Sequence, residues 1–176
     1  MSGLCGWFQR AEADARGKEV IEAMARVLGR HDGAPVQTVS ADCGAVAAAS
    51  RTRGAAVFHD AQRLAAVWGS LGFRDTGLQG LAAVRGAAEV LCIGYAKKGA
   101  AILHDLEGSF AVAVVDANGE GLLAVDRMGT RPLCYASIGD ALVFGSTLDA
   151  IDAYPGARRE LSGQALYDYV YFHAVP

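Results

Sequence analysis

Phe110-Ala111-Val112-Ala113-Val114-Val115-Asp116 and Gly121-Leu122-Leu123-Ala124-Val125-Asp126, joined across Asn118-Gly119, decide the fold class. Both runs are short and apolar. An Asn-Gly pair between two such runs supplies the positive φ angles of a tight hairpin, so two antiparallel strands are predicted. Downstream, residues 132–135 and 141–144 read as two further strands joined through Gly139-Asp140. Ser146 then caps a short helix running through Ile151. Ser162 or Gly163 starts a last helix on which Leu166, Tyr169, Val170 and Phe172 face one way, ending near Val175-Pro176.

Upstream, residues 3–8 read as a short apolar strand. Residues 18–28 carry Val20, Ile21, Met24, Val27 and Leu28 at helical spacing. Residues 42–68 are small and β-branched, with turn signals at Arg53-Gly54 and His59-Asp60, which predicts two or three short strands. Residues 89–106 show helical period through Val90, Ile93, Tyr95, Ile102, Leu103 and Leu106, bent near Lys98-Gly99. Strands and helices come in blocks, which predicts α+β layers with antiparallel sheets rather than a doubly wound parallel sheet. No repeat of domain-building period and no low-complexity tail divides the chain, so residues 1–176 are taken as one domain.

Composition narrows the function. Hydrophobic residues make up 52% and charged residues 20%, a globular balance. Sixteen Lys and Arg against nineteen Asp and Glu leave a net charge of −3, without the positive field that a phosphate backbone requires. Nucleic acid is therefore not an expected partner. Charged residues or Gly interrupt every apolar run before the roughly 20 residues a bilayer demands, so no membrane span is expected. Met1-Ser2-Gly3 leads directly into Leu4-Cys5-Gly6-Trp7-Phe8 without a secretory signal, and a cytoplasmic location is expected. Cys5, Cys43, Cys92 and Cys134 form no CxxC pair and read as buried, reduced thiols. His31, His59, His104 and His173 are scattered without a second ligand at i+4, so no metal is expected.

Three stretches resemble one family. Leu106-Glu107-Gly108-Ser109-Phe110-Ala111-Val112-Ala113 resembles its "LEGxFAFA" strand, and Asp126-Arg127-Met128-Gly129-Thr130-Arg131-Pro132-Leu133-Cys134-Tyr135 its "DRxGxxPLYY" turn. Phe144-Gly145-Ser146 with Leu148 and Ile151 resembles "FASExKAL". Together they look like the N-terminal glutaminase domain of the asparagine synthetase family, a class II glutamine amidotransferase. The resemblance implies the N-terminal-nucleophile hydrolase fold, a four-layer αββα sandwich. It also implies that the helix through Val175-Pro176 precedes an ATP-dependent synthetase domain in a longer chain. ATP and Mg would belong to that domain, with no cofactor in this one; a homodimer is compatible with the family.

In active relatives an exposed N-terminal Cys attacks the glutamine amide, with its own α-amine as base. Met1-Ser2-Gly3-Leu4-Cys5-Gly6-Trp7-Phe8 resembles the family's "MCGIxGxF", which places Ser2 at the nucleophile. Hydroxyls activated by their own N-terminal amine exist, but a hydroxyl ionises far less readily than a thiol. The "NGE" text whose asparagine helps form the oxyanion hole corresponds to Trp68-Gly69-Ser70, so only Gly69 survives. The acidic residue that binds the substrate ammonium corresponds to Ala87. The "HRGPD" loop is not recognisable, although Arg30-His31-Asp32-Gly33 lies nearby, and the resemblance leaves Arg51 or Arg53 as candidates for the arginine expected to clamp the α-carboxylate.

These losses predict a degenerate glutaminase domain serving an amide-forming partner domain. Relatives with eroded glutaminase halves include β-lactam synthetases and lasso-peptide cyclases. The alternative is an active domain in which Ser2 releases ammonia for asparagine synthesis. Two further readings are a propeptide removed ahead of Cys5, and a pocket walled by Trp68, Ser70 and small residues that takes an apolar guest. Asp126 and Arg127 are expected to brace the sheets rather than to act in catalysis.

Overall fold

The computed structural model describes residues 2–9, 17–30, 32–52, 54–158, 160 and 162–173. Its first strand, β1 (Gly3–Gln9), feeds α1 (Gly17–Leu28), which lays Ile21, Met24, Ala25 and Leu28 into the core. Strands β2 (Val36–Ala41), β3 (Gly44–Ala49), β4 (Ala55–His59) and β5 (Arg63–Phe73) follow. Helices α2 (Thr76–Arg85) and α3 (Ala87–Lys98) come next, and a 3-10 turn over Gly99–Asp105 leads into β6 (Leu106–Asp116). The hairpin closes with β7 (Gly121–Val125), and then come β8 (Cys134–Ile138), β9 (Ala141–Gly145), α4 (Leu148–Asp152) and α5 (Gly163–Phe172).

The strands form two antiparallel sheets, ordered β2-β3-β1-β9-β8 and β4-β5-β6-β7. Period-two alternation sends one set of side chains between the sheets and the other beneath helices. Leu4, Val46, Ala48, Leu64, Ala66, Ala111, Ala113, Val115 and Phe144 fill the space between the sheets. Cys5, Trp7, Ala45, Ala47, Ala49 and Val143 pack beneath α1 and α4 on the first sheet. Ala65, Val67, Phe110, Val112 and Val114 do so with residues of α3 on the second. The result is the expected αββα sandwich. With both faces covered, the inner strands read as unbroken apolar runs. Close approach also demands small residues: a Cβ on Gly6 would lie 2.5 Å from the Ala45 carbonyl oxygen and 2.7 Å from the Phe144 ring.

The Asn118-Gly119 hairpin forms as predicted, with Gly119 at φ +71° and the Asp116 carboxylate accepting from the Asn118 and Glu120 N–H groups. Several boundaries move. The chain adds β2 and α2, neither of which the periodicity displays. α2 contains Gly77 and Gly80 and buries no residue, and its start is held by the Asp75 carboxylate, which accepts from Leu78 N–H at 3.0 Å. The last upstream strand runs past Trp68 to Phe73, because it pairs along its whole length with β6. β8 begins at Cys134 rather than at residue 132. The short helix is preceded by Thr147, not capped by Ser146; the Ser146 hydroxyl is buried without a hydrogen-bond partner among the described residues. Ser162 does cap the last helix, accepting from Ala165 N–H, while Val175-Pro176 lies outside the described residues.

Candidate active site

Ser2 stands immediately before β1, and because Gly3 pairs with Ala49, it meets the chain just after β3. Its Oγ accepts from Arg51 N–H at 3.4 Å and donates to Asp32 Oδ2 at 3.5 Å. Both contacts sit at the long end of hydrogen bonding. Asp32 also accepts from Ala34 N–H at 3.1 Å, and that bond, more than the nearby Arg51 charge, holds its carboxyl below the usual carboxylate range. A carboxylate so stabilised is a feeble base for a serine hydroxyl at neutral pH. The stronger base, the Ser2 α-amine, is an amide while Met1 is attached. The Arg51 side chain is exposed. Arg53 and His31 lie outside the described residues.

Gly69 lies near this corner. An ideal Cβ on Gly54 would stand 3.4 Å from the Gly69 carbonyl oxygen and 3.6 Å from Ser50 Oγ, so Gly54 joins the segment that follows β3 to the middle of β5. Gly69 takes φ +111°, a region open to glycine, and any Cβ there would run into the Ser109 carbonyl of β6. Its N–H, however, is already spent. It donates to the Gly54 carbonyl at 2.6 Å, so in this arrangement it is not free to bind a developing oxyanion.

The neighbours of Gly69 diverge. Trp68, Gly69 and Ser70 lie within a continuous strand, paired with Ala111, Phe110 and Ser109. Ser70 is exposed, whereas Trp68 is half-buried against the core between the sheets. The Arg131 guanidinium carbon stands 4.8 Å from the Trp68 ring centroid, a cation–π contact. Arg131 Nε is buried and has no partner among the described residues. Where the family resemblance places an amide donor, this chain therefore presents an indole with a guanidinium stacked on it. Arg131 lies in the turn already matched to the family, but sequence gives no sign that it would meet Trp68.

Arg127 is exposed, and Asp126 ties the turn after β7 to β6 of the second sheet. Its buried carboxylate accepts from the N–H groups of Phe110, Met128 and Thr130 and from Thr130 Oγ1 at 2.5 Å, with Thr130 in turn bonded to Ser109 Oγ. These donors, the Thr130 hydroxyl foremost, hold its pKa below the usual carboxylate range. Ala87 opens α3 and packs with the helix-covered cluster of the second sheet. Cys5 is fully buried between β3 and β9, and desolvation pushes its thiol up to about 12, which leaves no thiolate for attack near neutrality. Among the described residues no group of three His, Cys, Asp or Glu side chains is placed to hold a metal ion. None of the described helices is long and apolar enough to cross a membrane.

Residues 79–176 match the family model of the glutamine amidotransferase domain. The chain belongs to this family. Over 75 residues it is 31% identical to asparagine synthetase [glutamine-hydrolyzing] 2 of Bacillus subtilis (strain 168), a match covering 42% of this chain and 10% of that protein. Its fold is similar to that of the allosteric regulatory enzyme of purine biosynthesis, at TM-score 0.58 and 16% identity, over 86% of this chain and 43% of the other. Glutamine phosphoribosylpyrophosphate amidotransferase from B. subtilis, solved with ADP and GMP, aligns over the same shares at TM-score 0.48 and 18% identity. The chain thus spans about a tenth of the curated relative and under half of these solved chains. As a glutamine amidotransferase domain it keeps the family's two-sheet sandwich, and Ser2, Arg51 and Gly69 all fall around the segment following β3.

Proposed function

We propose that this glutamine amidotransferase domain no longer hydrolyses glutamine and instead serves as a scaffold for an ATP-dependent, amide-forming domain of an asparagine synthetase-related protein. The observation that carries this reading is the commitment of the Gly69 N–H to the Gly54 carbonyl, beside an indole in place of the amide donor. Each lost oxyanion donor costs on the order of 10² to 10³ in rate. The weak Asp32 base and a hydroxyl nucleophile compound the loss. A parent that closes a ring with an amine already present in its substrate, as family members with eroded glutaminase halves such as β-lactam synthetases and lasso-peptide cyclases do, has no need of glutamine ammonia. ATP and Mg would then be held by the adjoining domain.

The test is glutamate release from glutamine by purified protein whose N-terminus has been sequenced, together with intact mass after incubation with a diazoketone analogue of glutamine. No release above the blank and no adduct are expected. Release that disappears in Ser2→Ala, or an adduct on Ser2, would instead establish the amidotransferase that feeds ammonia to asparagine synthesis.

A further inference from the structure

Helix α5 is built for company it does not have within this domain. None of its ten residues is buried, and no other element packs broadly against it. Yet six of them are large and apolar: Leu166, Tyr167, Tyr169, Val170, Tyr171 and Phe172, with Val170 69% and Tyr171 68% exposed. At 100° per residue, Tyr169, Leu166 and Val170 form one stripe. Tyr167 and Tyr171, whose rings stack at 5.8 Å, widen it on one side, and Phe172 widens it on the other. The polar arc is narrow, held by Gln164 and Asp168, which hydrogen-bond to each other at 2.8 Å. A helix apolar around most of its circumference is normally enclosed on more than one side, and ten residues are too few to hold a helix well in water alone.

The shape of the apolar arc selects the occupant. Two copies of α5 laid face to face would cover one stripe each, leave the flanking rings wet, and bury well under the roughly 800 Å² per partner of a stable interface. A groove on a tethered domain closes over several sides at once, and tethering supplies the effective concentration that so small an element needs. The family match runs through α5 to residue 176, while the chain covers only a tenth of its asparagine synthetase relative. We infer that α5 is the docking helix that seats this domain in an uncharged, apolar groove of the ATP-dependent domain; this rests on the functional reading above. The only charge on the helix is Asp168, half-buried and bonded to Gln164, so no basic patch is required opposite it. Polar groups at the groove rim would meet the three tyrosine hydroxyls.

The experiment is amide hydrogen exchange and limited chymotrypsin cleavage across residues 163–172 in the intact natural protein, at two concentrations tenfold apart. Protection of α5 that does not change with concentration is expected. Leu166→Asp combined with Val170→Asp should abolish that protection. Val84→Asp, at a still more exposed apolar site on α2, should not. Because no described element packs broadly against α5, the melting temperature of residues 1–176 alone should be little changed by the double variant, which separates undocking from misfolding. Free exchange of α5 in the intact protein, protection that vanishes on dilution and so reports a second copy, or a natural chain lacking a further domain would each overturn the inference. Glutamine hydrolysis in the preceding test would sink the scaffold reading while leaving α5 protection untouched, since an active domain can dock as well.

Discussion

Replacing Ser2 with cysteine supplies the thiol of active relatives and so tests the proposed loss of function in the surrounding site by itself. With Met1 removed and the N-terminus verified by intact mass, Ser2→Cys would carry both nucleophile and α-amine base. Two oxyanion donors would still be missing: the Gly69 N–H, which is donated to Gly54 at 2.6 Å, and the amide at the position where Trp68 lies under Arg131. Each is worth about 10² to 10³, so against a typical turnover of about 10 s⁻¹ the variant should release glutamate at roughly 10⁻³ to 10⁻⁵ s⁻¹. Adding Trp68→Asn should recover no more than one of these factors, because the Gly69 N–H stays committed. The assay is coupled glutamate detection at saturating glutamine over several hours, with Ser2→Ala as the blank. Turnover near 1 s⁻¹ from Ser2→Cys alone would refute the reasoning, for it would mean that the donors are present after all.

Further consequences concern stability. Gly69→Ala should destabilise the domain by about 2–6 kcal/mol in equilibrium urea unfolding, summing left-handed strain and a collision with the β6 backbone. Desolvation pushes Cys5 and Cys92 each up to about 12. A thiol whose pKa is raised on folding costs nothing while both states are protonated; above the unfolded value near 9 the unfolded state alone sheds its proton. Stability should therefore fall by on the order of 1 kcal/mol per pH unit for each thiol between about pH 9 and 12, and Cys5→Ala should remove its share of that slope. Asp126 runs the other way: its lowered pKa contributes stability that is present above the unfolded value near 3.9 and lost as pH falls through the folded one. Asp126→Asn should lower the melting temperature at pH 7, and the difference between the two proteins should shrink as pH falls below the unfolded value near 3.9.

The sandwich was legible because its inner strands carry their evidence locally. The runs at residues 110–116 and 121–125 and the Asn118-Gly119 turn require no distant partner to be recognised. The elements that escaped are those whose stability comes from elsewhere. β2 is mostly exposed and is held by its pairing with β3, and α2, with two glycines and no fully buried residue, is held by Leu78, Leu81 and Ala82 packing against the cluster beneath α3. α5 was legible as a helix from Ser162 onward, but Phe172 lies off the stripe formed by Leu166, Tyr169 and Val170, and none of that face turns toward this domain's own core.

Residue identity alone determined which chemical groups are present at the positions matched to the family's site text: a hydroxyl at residue 2, an indole at 68, a methyl at 87. Only the tertiary structure decided what those groups do. That the Gly69 N–H is consumed by Gly54, that Arg131 stacks on Trp68, and that Asp32 reaches Ser2 all depend on segments 15 to 63 residues apart in sequence being brought together by the two sheets. Hydrogen bonds and cation–π contacts act over a few ångströms, and a linear chain holds no record of which distant groups will come that close until its apolar runs have packed.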